Sequence, residues 1–296
     1  MAIDFLGLGY LLDPSKRLYW LYCLSSLVIA LIYLSKRKKR LAFAFSSHIW
    51  WHKSARLDYL YFMLSSMIKL SVLIPFVMST EEMSSFFYTQ MALHLEYVEL
   101  DLPRGLIVGL YTLCIFVMSE FTRYWLHRWL HTVKWMWRFH KVHHSARVLN
   151  PFSFYRVHPV ENFLFGVRYA LSSGFVTALF IYLFGGRMES FDILGSNAII
   201  VAFLFLGSNL RHSHVKLGFY GWIESIFMSP AQHQLHHANA TMDKNYGGSL
   251  ALFDALFGTL AKSSKTKMSR FGLRREQMGA YESLWGLLIT PFRRRG

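Results

Sequence analysis

Eight histidines crowd into three short boxes, HRWLH (His127, His131), HKVHH (His140, His143, His144) and HQLHH (His233, His236, His237), and this grouping constrains the fold more than any other feature of the chain. Eleven of the fourteen histidines fall between His127 and His237. On a helix, positions i, i+3 and i+4 share a face, so each box can aim two or three ring nitrogens at one point. Imidazole is the commonest protein metal ligand. Eight nitrogens exceed the needs of one four-coordinate ion and suit two, so the boxes are expected to converge on a dinuclear centre. A lone histidine is ordinarily a hydrogen-bonded core or interface residue, but two copies of HxxHH are a ligand spacing with a mechanism behind it. His48 and His52 flank Trp50 and Trp51, which reads as a membrane-interface belt, and with His94 they are taken as structural.

Composition says what surrounds such a site. With 53% hydrophobic and only 17% charged residues over 296 positions, the chain is too apolar for an ordinary soluble domain. Apolar stretches at 18–35, 57–78, 105–126, 163–184 and 193–210 approach the ~20 residues that cross a bilayer. The first and last are short, and paired segments could dip into the membrane as hairpins. The expected fold is an all-α integral membrane protein, a bundle of four to five membrane segments under a cytosolic, histidine-rich helical cap. The basic run KRKKR at 36–40 places residue 36 in the cytosol by the positive-inside rule. Five crossings then make 36–56, 127–162 and 211–296 cytosolic, with 25 of the 32 Lys and Arg and every boxed histidine. The opposite side receives 79–104, rich in Glu and Asp. The net charge of +15 is thereby explained by topology and anionic headgroups, and no nucleic-acid partner is expected.

Cys23 and Cys114 lie inside apolar segments, so neither a disulfide framework nor a thiolate metal site is implied. A basic cluster follows the first apolar segment where a cleavage site would stand, so that segment reads as a retained anchor. The chain divides into anchoring helices (1–114), a catalytic domain holding all the boxes (115–262) and a basic cytosolic tail (263–296) whose end, 293–295, is solvated or lipid-facing. NPFSFYRVHP (150–159) should be extended or turned between its prolines. VKLGFYGWIESIF (215–227) reads as an interfacial helix, and Pro230 suits the first turn of the helix carrying the last box.

The runs EFTRYWLHRWLH, FHKVHHS, HPVE, RHSHV, SPAQHQLHHA and DKNYGGSLALFDALFGT, over about residues 115–260, resemble the membrane-bound fatty acid hydroxylase and sterol desaturase superfamily. The resemblance implies an integral membrane oxygenase with a histidine-rich di-iron centre on the cytosolic side. Such enzymes use O2 and external electrons to attack unactivated C–H bonds of lipids. The final portion is also similar to the ether-lipid-cleaving alkylglycerol monooxygenase branch. Carried over by position, the eight boxed histidines are implied as iron ligands, His212 as an additional one and His214 as a weaker candidate two residues later. His158, in the His-Pro element, is implied as a ligand or as a residue beside the ligands or substrate.

Glu120 precedes His127 by two helical turns, and a carboxylate there is expected either to orient a metal-bound imidazole or to pair with Arg123 or Arg128. Asn245, Tyr246 and Gly247, with Asp254, are expected to order the end of the site; ordinary turn chemistry is the alternative. Lys69 and Arg168, inside apolar segments, either meet a lipid headgroup or snorkel. The function expected is O2-dependent hydroxylation of a fatty acyl, sterol or related lipid, with desaturation or ether cleavage as alternatives. Two iron ions are the expected cofactor, and zinc can replace them on overexpression. The sequence has no Cys cluster and no spare soluble domain, so electrons must come from a separate donor, cytochrome b5-like or ferredoxin-like. A b-haem protein has no use for adjacent histidine pairs, and a zinc transporter would need an ionisable path within the membrane. The bacterial inner membrane and the endoplasmic reticulum are both compatible with the sequence.

Overall fold

In the computed structural model the described residues are 6–37, 41–73, 78–96, 98–187, 189–193 and 196–293. Positions 38–40 of the basic run and 294–295 of the basic end lie outside them. Most of the chain is helical, and the helices that position the site are α1 (Trp20–Lys36), α2 (Lys53–Ile68), α3 (Thr80–His94), α4 (Arg104–Thr132), α5 (Lys134–His144), α6 (Pro159–Phe184), α7 (Ala198–Phe205), α8 (Pro230–His237), α9 (Leu252–Leu256) and α10 (Leu284–Ile289). Among the described residues the strands are confined to one two-residue hairpin, Asp192–Ile193 with Ser196–Asn197.

Among the described residues two helices are long and apolar enough to cross a membrane. α4 has 29 residues and α6 has 26, so at 1.5 Å per residue each exceeds the ~30 Å hydrocarbon core. They run antiparallel, with Ile107, Tyr111, Val176, Phe180 and Phe184 packed between them. Tyr111 Oη bonds Thr177 Oγ1 at 2.8 Å within that seam. α6 starts where Pro159 occupies the first turn and His158 Nδ1 accepts the Val160 N–H.

Segment 79–104, expected as a connection on the outer side, is largely helix α3, which lies along α6. A Cβ on Gly174 of α6 would stand 2.5 Å from Met83 Cβ, so the two helices approach only because position 174 has no side chain. Further along, the Leu100 N–H donates to Leu183 O at 2.7 Å, at the far end of α6. α2 begins at the opposite level, where the Arg147 N–H donates to Ser54 Oγ. α2 and α3 therefore progress in the same direction along the bundle, and the far-side connection is shortened to the residues between α3 and α4. α7, with eight residues, is too short to span the core alone.

The first apolar segment, expected as a crossing anchor, meets the 208–216 stretch at both of its ends. A crossing before residue 36 would leave Arg17 on the side away from the boxes. Instead Arg17 Nη2 donates to Ser208 O at 2.9 Å and Asn209 Nδ2 donates to Arg17 O at 2.7 Å, four and three residues from His212. The other end of α1 returns to the same stretch, where Leu34 packs with Leu210 and Val215 and Tyr33 Oη donates to Lys216 O. Exposed Trp20, Leu24, Val28 and Ile32, spaced by four, form the outer stripe of α1, while Tyr22, Ser26, Ala30 and Leu34 face inward.

Past residue 262 the segment expected as a basic cytosolic tail packs against the helices. Leu273, Met278, Tyr281 and Leu287 close a core with Tyr61 of α2 and Val142 of α5. The 215–227 segment is helical only over Ile223–Ile226, with Tyr220 and Trp222 exposed.

Candidate metal centre

Four elements aim imidazoles at one place: the end of α4 (His127, His131), α5 (His140, His143, His144), the 3-10 turn Ser208–His212, and α8 (His233, His236, His237). α8 is fixed by Pro230 in its first turn and by a capping box between Ser229 and Gln232. Two groups result. One holds His127, His131, His140, His144 and His236, the other His143, His212, His233 and His237, and within each the ligand atoms lie within 4.8 Å of one another. The groups adjoin, with the His144 and His237 rings stacked at 4.8 Å and His143 between the rings of His140 and His237.

All nine rings are buried, yet many of their nitrogens have no protein partner. Both nitrogens of His144 and His237, Nε2 of His236 and Nδ1 of His233 are buried without a hydrogen bond. Elsewhere two rings confront each other, His127 Nε2 with His140 Nε2 at 3.1 Å and His212 Nε2 with His233 Nε2 at 3.0 Å. Buried polar atoms left unpaired are costly, so this cluster is unfavourable on its own and fits metal ions at its two foci.

The outward nitrogens are held by a surrounding ring of acceptors. His140 Nδ1–H donates to Glu161 Oε1 at 2.8 Å. His127 and His236 donate from Nδ1 to Tyr246 O at 2.7 Å and Lys244 O at 2.8 Å, His143 lies 3.3 Å from Arg156 O, and His212 Nδ1 meets Ser153 Oγ at 2.9 Å. Each such bond fixes a tautomer and leaves Nε2 free to face inward. Glu161 is the carboxylate that sequence reasoning missed, although it ends the HPVE run. Its signal was an acidic residue opening an otherwise apolar helix, which is expensive unless paired.

Glu120 does not orient an imidazole. It sits two turns, ~10 Å, below His127 on α4. There it accepts the N–H groups of Ser249 and Leu250 and lies 3.9 Å from Arg123 Nε. His158 is likewise no ligand: it caps α6 and donates from Nε2 to Leu288 O at 3.1 Å, tying the C-terminal segment down. His214 is carried out of the cluster by the extended backbone at Ser213, and its Nε2 bonds Phe43 O at 2.7 Å. Asn245 and Tyr246 lie at one end of the site. Asn245, at φ 59°, links Gln232 O of α8 to Ala261, and Asp254 accepts from the Tyr246 and Gly247 N–H groups at 2.8 Å.

Burial keeps the imidazoles outside the spanning helices neutral, the form that ligates. It pushes His140 down to about 3 and, with His140 beside it, His143 down to about 4. His144, His212, His233, His236 and His237 are all driven well below 6.5 by burial and by one another. Because the folded values lie below the unfolded one, the unfolded chain takes up more protons as pH falls from 6.5 toward 4. Each group then costs up to ~1.4 kcal/mol of stability per pH unit in that window. Chelator-treated protein is expected to lose melting temperature steeply between pH 6.5 and 4, and a flat profile there would contradict neutral burial.

A cavity of about 410 Å³ opens against the cluster, reaching His127, His143, His212 and His233, with Tyr155 and Phe165 among its apolar walls. That volume lies in the range of small-molecule and lipid sites. The fatty acid hydroxylase family profile matches residues 112–259. The chain is 28% identical to ornithine lipid hydroxylase OlsE of Rhizobium tropici over 182 residues, 61% of this chain and 50% of that protein. It is 28% identical to alkylglycerol monooxygenase of Homo sapiens over 146 residues, 49% of this chain and 29% of that protein. With Delta(7)-sterol 5(6)-desaturase ERG3A of Gibberella zeae it shares 28% identity over 143 residues, 48% of this chain and 35% of that protein. The chain thus spans half or less of the length of each of these relatives. No solved structure matches it.

Proposed function

Because the chain belongs to the fatty acid hydroxylase family, we propose that it is a membrane-embedded di-iron oxygenase that hydroxylates an unactivated C–H bond of a lipid. The observation that carries this reading is the pair of adjoining histidine groups with their unpartnered inward nitrogens. Iron would be held by His127, His131, His140, His144 and His236 on one side and by His143, His212, His233 and His237 on the other. When bound, it supplies the redox chemistry with O2 that no amino-acid side chain can supply and that zinc, without redox states, cannot.

The chain's own residues hold and orient. Glu161, Ser153 and the carbonyls of Tyr246, Lys244 and Arg156 fix the ring tautomers, and the walls of the cavity seat the lipid and exclude water. The reaction balances as one C–H, one O2, two electrons and two protons giving one C–OH and one water. A separate donor, cytochrome b5-like or ferredoxin-like, supplies the electrons. Lipid profiles of cells with and without the protein test the class. A lipid gaining one oxygen supports hydroxylation, one losing two hydrogens supports a desaturase at the same site, and unchanged lipids contradict both.

This reading puts Arg17 and the histidine cap on one side of the membrane, with α2 and α3 as one passage, α4 and α6 as two more, and the return through α7. Exposed Ser15 and Ser264, each replaced by Cys in a Cys23→Ser, Cys114→Ser background, should react with an impermeant reagent from the same side. Labelling from opposite sides would restore the crossing first segment.

A further inference from the structure

The oxygenase reading leaves the charge of the cavity unexplained. Arg17, Lys69, Arg123, Arg168 and Arg211 all line it, each from a different element, against one lining carboxylate, Glu161, which is engaged by His140. Glu120, 3.9 Å from Arg123 Nε, offsets one of the five positive charges while it also accepts two backbone N–H groups. The hydrogen bonds of the arginines run to neutral groups. Arg17 reaches Ser208 and Asn209, Arg168 reaches Ser119 O and Thr122 Oγ1, and Arg211 reaches Gly248 O. These bonds fix the guanidiniums without neutralising them.

Several donors are also unused. Nε of Arg123 and Nε of Arg168 are buried with no hydrogen-bond partner. Among the described residues no hydrogen bond or ion pair reaches Lys69 Nζ. Burial, with Arg123 nearby, pushes Arg17 down to about 10. Like charges gathered at the edge of an apolar bundle are costly unless something compensates them, and intramembrane ionisable groups mark substrate sites. Guanidinium forks match phosphate and carboxylate oxygens two at a time.

Building on the oxygenase reading, we propose that the substrate is a lipid with an anionic headgroup, a phosphate or a carboxylate, seated among Arg17, Lys69, Arg123, Arg168 and Arg211 and oxidised at a carbon close to that group. The position follows from the helices. Arg123 lies one turn, ~6 Å, before His127 on α4, and Arg168 lies two turns, ~10 Å, beyond Glu161 on α6. An anion held there leaves the first part of the attached chain, and not its far end, beside the histidines. A neutral sterol or diglyceride would leave the cations uncompensated.

Binding tests this without turnover. Metal-loaded protein in neutral detergent would be titrated by native mass spectrometry with dioleoylphosphatidic acid, oleate and dioleoylglycerol, which share a chain and differ in charge. One anionic lipid per protein should bind at least tenfold more tightly than dioleoylglycerol, and whichever of phosphatidic acid and oleate binds better identifies the headgroup. Lys69→Met and Arg123→Gln should each weaken that binding about tenfold, the usual effect of losing a charge-assisted hydrogen bond. Only the backbone N–H of Lys69 serves the fold, bonding Ser65 O and Ser66 O; among the described residues its side chain makes no hydrogen bond, so Lys69→Met removes none. Equal retention of dioleoylglycerol, or anionic binding undiminished in both variants, would overturn the proposal. Tight phosphatidic acid binding by a protein that oxidises no lipid would instead refute the oxygenase reading, and the substrate role with it, and leave only the anionic-lipid site standing.

Discussion

His236→Ala and His237→Ala are each expected to reduce bound metal from two ions per chain to one and to take lipid oxidation below detection. His236 belongs to the group of five and His237 to the group of four, so the two variants empty different foci. Both rings present buried nitrogens with no protein partner, so neither is needed to satisfy a hydrogen bond of the fold except the His236 contact with Lys244 O. The loss should exceed the ~10- to 100-fold effect typical of groups that only support a ligand. His214→Ala provides the contrast, because that ring bonds Phe43 O outside the cluster and its removal should leave metal content at two. Metal analysis beside activity on matched, membrane-inserted preparations checks all three. Full metal content in either cluster variant would contradict the assignment.

The second large effect is expected at Glu161. Glu161→Ala removes the acceptor that holds His140 Nδ1–H, and metal affinity or turnover should fall ~10- to 100-fold, with partial rescue by Glu161→Gln, whose amide oxygen can still accept. Glu120→Ala should behave differently. It strands the N–H groups of Ser249 and Leu250, at ~1–3 kcal/mol for each orphaned donor, so it lowers stability while folded protein keeps its metal. Chelator competition separates the two cases. Weaker metal binding in Glu120→Ala with none in Glu161→Ala would reverse the roles given to these carboxylates.

The contrast between these two residues shows how much of the site was legible in the sequence. The boxed histidines could be read because the 3.6-residue period turns i, i+3 and i+4 spacings into a shared face, and a shared face is a local property. His212 entered through resemblance, since a single histidine in a 3-10 turn has no periodic partner to mark it. Of the two tasks open to Glu120 the structure places it beside Arg123, and the sequence could not choose because helical phase says which way a side chain points and not how far along the axis its partner lies. Glu161 was passed over because its partner, His140, is contributed by another helix. Acceptors such as Tyr246 O and Lys244 O are backbone atoms, which any residue supplies, so no side-chain pattern announces them.

The membrane arrangement proposed above departs from the one expected from the sequence for a related reason. Hydropathy and flanking charge count apolar residues but do not see that Arg17 is bonded to Ser208 and Asn209, or that Gly174 lets α3 lie against α6. The cavity cations were similarly invisible as a set. Arg17, Lys69, Arg123, Arg168 and Arg211 are spread over nearly two hundred positions, and only the packing of five elements gathers them.

The most direct test of the account is the source of oxygen in the product. Iron-loaded protein, supplied with a chemical or protein reductant and membrane lipids under 18O2, should yield a hydroxylated lipid carrying one 18O atom, and the zinc-loaded protein should yield none. A product labelled only from H2 18O, or no O2-dependent lipid product from protein shown to hold two irons, would contradict it.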